Sequence, residues 1–218
     1  MALTKFNFNS FDLTTVASTG LAFNASANGF DTASPGAMTL IATNTISSGV
    51  SSSSFTSGID STYDTYMFKY INCHPASGNV NFTVNFRDGG SSFDATKTST
   101  TFRAYHSENG TSAGLDYITS VDLVNGTGYQ ILDSDGTISN NDDASITGTL
   151  FLFSPANTTF VKHFISTCNN MIHGSTSQTS NNYVAGYANV TAAIDGVDFK
   201  FSSGNIDSGV IKMYGITK

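Results

Sequence analysis

Residues 193–218 read AIDGVDFKFSSGNIDSGVIKMYGITK. Val197, Phe199 and Phe201 alternate with Asp198 and Lys200. That is the period-two pattern of a half-buried strand, with Asp198 and Lys200 expected outward. Ser202-Ser203-Gly204-Asn205 makes a loop, and residues 206–216 supply a second strand. Val210, Lys212 and Tyr214 share one of its faces; Ile211, Met213 and Gly215 share the other. The stretch closes a β domain, and it carries no nucleophile motif, metal-ligand cluster or phosphate loop.

Upstream the same signals recur. Residues 38–46 and 63–71 are apolar-rich runs. Residues 80–86 alternate most clearly, with Val80, Phe82, Val84 and Phe86 expected inward and Asn81, Thr83 and Asn85 outward. Asp88-Gly89-Gly90 then turns the chain. Residues 100–106, 117–121 and 129–132 are shorter candidates. Residues 146–153 are apolar on both faces, which predicts a central strand. Residues 160–168 and 183–190 precede the terminal pair, and a short helix is a possibility near 115–124. About ten strands with short connections suit antiparallel pairing. The expected fold is all-β: an antiparallel sandwich of jelly-roll type. Residues 1–37 form an irregular N-terminal arm or anchoring segment, and 38–218 form the sandwich; the plainer alternative makes the start a first strand or two of the same domain. Phe6, Phe8 and Phe11 are the candidate subunit anchors within the arm.

Composition narrows the class. The 218 residues suffice for one sizeable core, and only 11% are charged, against roughly 25% in average globular domains. The net charge is −7, and the nine Lys and Arg are scattered singly. No basic stripe exists to neutralise phosphates, so nucleic acid is not an expected partner. No run of 18 apolar residues or leader-like start occurs, so neither membrane insertion nor export is expected. Cys73 and Cys168 are then expected as free thiols. The Asn-x-Ser/Thr triplets at Asn24, Asn81, Asn109, Asn125, Asn157 and Asn189 are discounted, because an Asn-, Ser- and Thr-rich chain generates them by chance.

A resemblance spans nearly the whole chain. It rests on IDSTYDTYMFKYINCHPASGNVNFTVNF (59–86), TTFRAYHSENG (100–110), LFLFSPANTTFVKHF (150–164), DFKFSSGNIDSGVIKMYGI (198–216) and the opening MALTKFNFNSFDLTTVASTGLAFNASANGF. These stretches resemble structural proteins of marine tailed phages, of the tail fibre-like or capsid-decorating kind. The resemblance implies a virion protein made in the host cytoplasm, whose partners are its own copies and other virion proteins. It brings no catalytic residues, so none are assigned, and the expected role is non-enzymatic and free of cofactors. A homotrimer is expected by analogy with sandwich subunits on phage surfaces.

Four constellations need weighing. Asp133-Ser134-Asp135-Gly136, with Asn140, Asn141, Asp142 and Asp143, resembles part of a calcium loop, but the ligand spacing is broken and a solvated acidic loop is the plainer reading. His163, Cys168 and His173 offer zinc donors, yet an offset of five within a strand sends side chains to opposite faces. Arg103, His106, Glu108 and Asp116 read as an acid–base cluster or, more simply, a strand-end salt bridge. Tyr63, Tyr66, Tyr105, Tyr117, Tyr129, Tyr183 and Tyr187 keep a carbohydrate- or receptor-binding module for host attachment as the alternative, with a host surface glycan as its ligand.

Overall fold

The computed structural model describes Leu21–Phe23, Ser26, Phe30–Thr32 and residues 37–133, 138–172 and 177–216. Backbone packing divides the chain into residues 1–39 and 40–218. Within the first unit, β1 (Leu21–Phe23) pairs antiparallel with β2 (Phe30–Thr32). The anchor candidates Phe6, Phe8 and Phe11 lie outside the described residues.

The strands of the large unit are β3 (Met38–Ile46), β4 (Ser53–Phe55), β5 (Thr65–Pro75), β6 (Phe82–Arg87), β7 (Lys97–Ser107) and β8 (Ala113–Tyr117). Then follow β9 (Gln130–Ile131), β10 (Ile146–Phe153), β11 (Lys162–Ile172), β12 (Gln178–Ala188), β13 (Gly196–Phe201) and β14 (Ile206–Ile216). They form two antiparallel sheets. The large one has the order β3-β14-β5-β10-β11-β12-β7-β8, and the small one β4-β13-β6-β9.

This order is that of a jelly roll. Each strand of the outgoing half lies beside its counterpart on the return: β3 by β14, β4 by β13, β5 by β10 and β6 by β9. The chain is thus one long antiparallel ribbon wrapped over itself, its pairs falling alternately into the two sheets. Two hairpins are inserted into that ribbon. The β7–β8 hairpin follows β6 and the β11–β12 hairpin follows β10; β12 pairs with β7 along eleven residues, Gln178↔Ser107 to Ala188↔Lys97. The insertions widen one sheet to eight strands while the other keeps four.

The residues fall as their period dictates. Phe82, Val84 and Phe86 of β6 and Val197, Phe199 and Phe201 of β13 point into the space between the sheets. Ile211, Met213 and Gly215 are the buried face of β14. With no Trp in the chain, phenylalanines fill the middle. The Phe199 ring is 5.7 Å from Phe68, 5.8 Å from Phe82 and 6.1 Å from Tyr70. As the sequence predicts, β10 is central, between β5 and β11. Gly148 is required there, since a Cβ would stand 2.5 Å from the Thr167 carbonyl oxygen and from Cys168 Cβ. Cys73 and Cys168 are buried free thiols, and burial pushes both up to about 12.

Three expectations are corrected. Thr83, Asn85 and Asp198 do point away from the core, but they are not solvated: each is 3% exposed or less. The chain on either side of β7 and β8 folds over that face of the small sheet. Asn85 Nδ2 donates to the carbonyls of Phe93 (2.5 Å) and Thr127 (3.0 Å), and the Tyr129 hydroxyl donates to Asp198 at 2.7 Å. The segment 117–121 is not one strand, and the helical possibility at 115–124 shrinks to a single 3-10 turn at Thr119–Val121 after β8. Asp133 is not in a solvated loop; it is fully buried, where its carboxylate accepts the Phe82 N–H at 2.8 Å.

Candidate interaction surface

The outer face of the eight-stranded sheet carries the most unusual surface of the described residues. Cross-strand register aligns outward side chains into rows. One row runs Tyr214, Met67, Phe151, Ile165, Ala185, Thr100 across β14, β5, β10, β11, β12 and β7. The next runs Lys212, Lys69, Thr149, Thr167, Tyr183, Phe102, Tyr117 and reaches the β8 edge. Phe102 and Tyr183 stack face to face, with centroids 4.7 Å apart and planes 7° from parallel, although both are exposed. Ile165 is 49% exposed, Tyr117 61% and Leu115 73%. Scattered exposed apolar residues are ordinary, but aligned ones form a patch, and patches mark interfaces.

Beside these rows lies a shallow depression of about 460 Å³. Its walls include His163, Ile165 and Tyr187, with Ala185 and Gly186 between them and the hydroxyl residues Thr98, Ser99 and Thr100 at one side. Tyr187 and His163 meet edge to face at 6.1 Å. A second hollow shares His163 and adds Phe153 and the 70% exposed Phe160.

The structure sorts the remaining candidates. Arg103 and Asp116 pair across β7 and β8, with Nη2 to Oδ2 at 3.5 Å: the strand salt bridge, not an acid–base cluster. Tyr105 lies under the Arg103 guanidinium at 4.7 Å. His163 is exposed while Cys168 is buried, so they diverge as the offset of five requires; His173 lies outside the described residues. Among the described residues no three His, Cys, Asp or Glu come together as a metal site, and residues 134–137 of the calcium-like loop are not described. Of the seven tyrosines, Tyr66 is spent in the core, its hydroxyl accepting the Asp60 N–H at 2.9 Å. Tyr63 packs edge-on against Tyr66, and Tyr129 is held by Asp198 and by Lys200, whose Nζ sits 3.9 Å from the Tyr129 ring centroid. Tyr117, Tyr183 and Tyr187 remain on the outer sheet face.

Sequence reasoning missed the apolar row from Tyr214 to Ala185 and the aromatic end of the row beside it. The signal was present in β10, which is apolar in both phases, and in the outward Met67, Ile165 and Phe102 of its neighbours. Only register shows that these residues align.

No family model, no curated protein and no solved structure matches this chain.

Proposed function

We propose that the protein is a non-enzymatic structural subunit of a tailed-phage virion, displayed on the particle as a capsid-decorating or tail-associated, fibre-like subunit. The observation that carries this reading is the aligned apolar face of the eight-stranded sheet. Ile165, Phe151, Met67, Phe102 and Tyr183 line up across a broad face suited to another copy or another virion protein rather than to a small substrate. The jelly roll is a fold of viral capsid and lectin domains among others, which supports the reading by analogy only. The resemblance of the quoted sequence stretches to phage structural proteins supplies the word virion. On this reading the arm, through Phe6, Phe8 and Phe11, fastens the subunit to its neighbours, and three such rings contribute roughly 5–8 kcal/mol before ordering costs. A homotrimer is the assembly we favour.

The test is mass spectrometry of purified particles together with label-directed microscopy. The protein is expected in mature particles, at their surface; absence from them overturns the proposal. Deleting residues 1–35 is expected to abolish incorporation, and full occupancy by the truncated chain shows that the arm is not the anchor.

A specific observation favours a second reading, host-glycan attachment. The depression between Tyr187, His163 and the hydroxyls of Thr98 and Thr100 sets two hydroxyl groups beside a largely apolar, aromatic wall, a combination that suits the face of a sugar ring. Binding on a glycan array that is lost in Tyr187→Ala selects this reading.

A further inference from the structure

Lys97 is the first residue of β7 in the large sheet and is fully buried. Its Nζ donates to Ala95 O at 2.5 Å and lies in close contact with Asn85 Oδ1 on β6 of the small sheet. Both partners are neutral oxygens. A buried ammonium is ordinarily matched by a carboxylate, because desolvation otherwise disfavours its charge. Here burial holds the Lys97 amine down at about 8, with Asp88 and Asp94 opposing the shift from a distance. A fraction of the amine is thus neutral and nucleophilic near neutral pH.

The carboxamide it touches is held at every atom. Asn85 Oδ1 accepts the Phe86 N–H at 2.9 Å, and Nδ2 donates to Phe93 O and Thr127 O. The carbonyl carbon Cγ stands one bond beyond the oxygen that Lys97 already reaches. Asn85 and Asp198 are direct cross-strand partners on the same covered face, where opposed Cβ atoms lie about 5 Å apart. Asp198 is 2% exposed, with its carboxylate held by the Ser54 and Tyr129 hydroxyls. Lys97 and Asn85 therefore meet in one water-excluded site, with Asp198 buried on the strand beside Asn85.

We propose that Lys97 and Asn85 join covalently, through an amide between Lys97 Nζ and Asn85 Cγ that ties the two sheets together, with Asp198 carrying the proton. The lone pair of the neutral amine attacks Cγ and forms the Nζ–Cγ bond. The developing oxyanion is met by the Phe86 N–H, a donor already in place. Asp198 takes a proton from Nζ and delivers it to Nδ2, the Cγ–Nδ2 bond breaks, and ammonia leaves. The net change is alkylammonium plus primary amide to secondary amide plus ammonium ion; no oxidant, cofactor or second protein takes part. The product has no buried charge at Lys97. It also closes a loop between β6 and β7, which restricts the unfolded chain as a disulfide would, by a bond insensitive to reductant.

The experiment is intact-mass measurement of the purified full-length chain, followed by digestion and peptide sequencing. The expected mass is that of the sequence less one ammonia, with a branched peptide joining the Asn85 and Lys97 segments and no tryptic cleavage after Lys97. Lys97→Arg and Asn85→Ala are each expected to restore the unmodified mass, a readout that holds whether or not the variants fold. Asp198→Asn keeps both reacting groups and is expected to leave most of the chain unlinked. A wild-type mass equal to the sequence mass overturns the proposal. So does an ammonia loss that persists in Lys97→Arg, because that is asparagine cyclising on its own backbone.

Discussion

Asp133 shows how one residue links packing to pH. It is fully buried, and burial raises its carboxyl to about 7 against the pull of the Phe82 N–H and the Asn81 amide. A carboxyl raised on folding binds its proton more tightly in the native state. Its contribution is therefore fully present below about pH 4, is lost as pH rises toward 7, and is flat above that. The penalty at pH 8 is on the order of a few kcal/mol. Asp133→Asn keeps an oxygen for Phe82 and removes the charge. It is expected to melt higher than wild type at pH 8 and to flatten the dependence of Tm on pH between 4 and 7. Equal slopes in the two proteins sink this account.

Two neighbours on β13 test the register. Phe199 is buried against four aromatic rings, so Phe199→Asp combines a cavity with an unsolvated carboxylate. It is expected to cost about 4 kcal/mol or more, which leaves little folded protein. Lys200→Asp loses the contact with the Tyr129 ring and is expected to cost only about 1 kcal/mol. Urea titrations of the pair read the difference directly; equal midpoints mean the faces are inverted.

At the scale of the element, β10 is held on both sides so closely that one methyl is too many. Gly148→Ala would press on the Thr167 backbone of β11 and on the Tyr70 hydroxyl of β5, 2.6 Å away. Backbone in a central strand cannot yield cheaply, and a loss of roughly 2–4 kcal/mol is expected in chemical denaturation. The inserted hairpins behave differently, because their outward residues support the fold less. Phe102 and Tyr183 stack on the exposed face of β7 and β12. A double-mutant cycle to alanine is expected to give a coupling near 1 kcal/mol or less. The same substitutions are expected to alter self-association more than stability, read as a shift in sedimentation at unchanged Tm.

For the whole molecule, the wrapped ribbon and the widened sheet answer different needs. The eight framework strands bury the phenylalanine core between two four-stranded layers, and the hairpins β7–β8 and β11–β12 extend one layer. That extension supplies much of the broad outer face on which the proposed assembly depends. Ile165→Asp changes an exposed residue at the centre of that face, so the monomer is expected to fold with little change in Tm. Light scattering is expected to show smaller oligomers; unchanged mass at matched concentration removes this face from the interface.

Sequence alone located most of the strands and much of the set of residues that faces the core, while β4 went unread and 117–121 was misplaced. Residues 38–46 and 146–153 were legible to the residue, and so was the alternation in β6, β13 and β14, because a period of two is a local property of the backbone. The central place of β10 followed from its apolar character on both faces. Pairing across the fold is not local, and there the tertiary structure decided. Asn85 and Asp198 read as solvent-facing, yet segments far along the chain cover them and bring Lys97 to the same site. Asp133 read as a loop acid, yet it lies beneath β6. Met67, Phe151 and Ile165 are ordinary strand residues one at a time. Their alignment into a surface depends on the register of strands brought together from across the chain, and no short window of sequence contains that information.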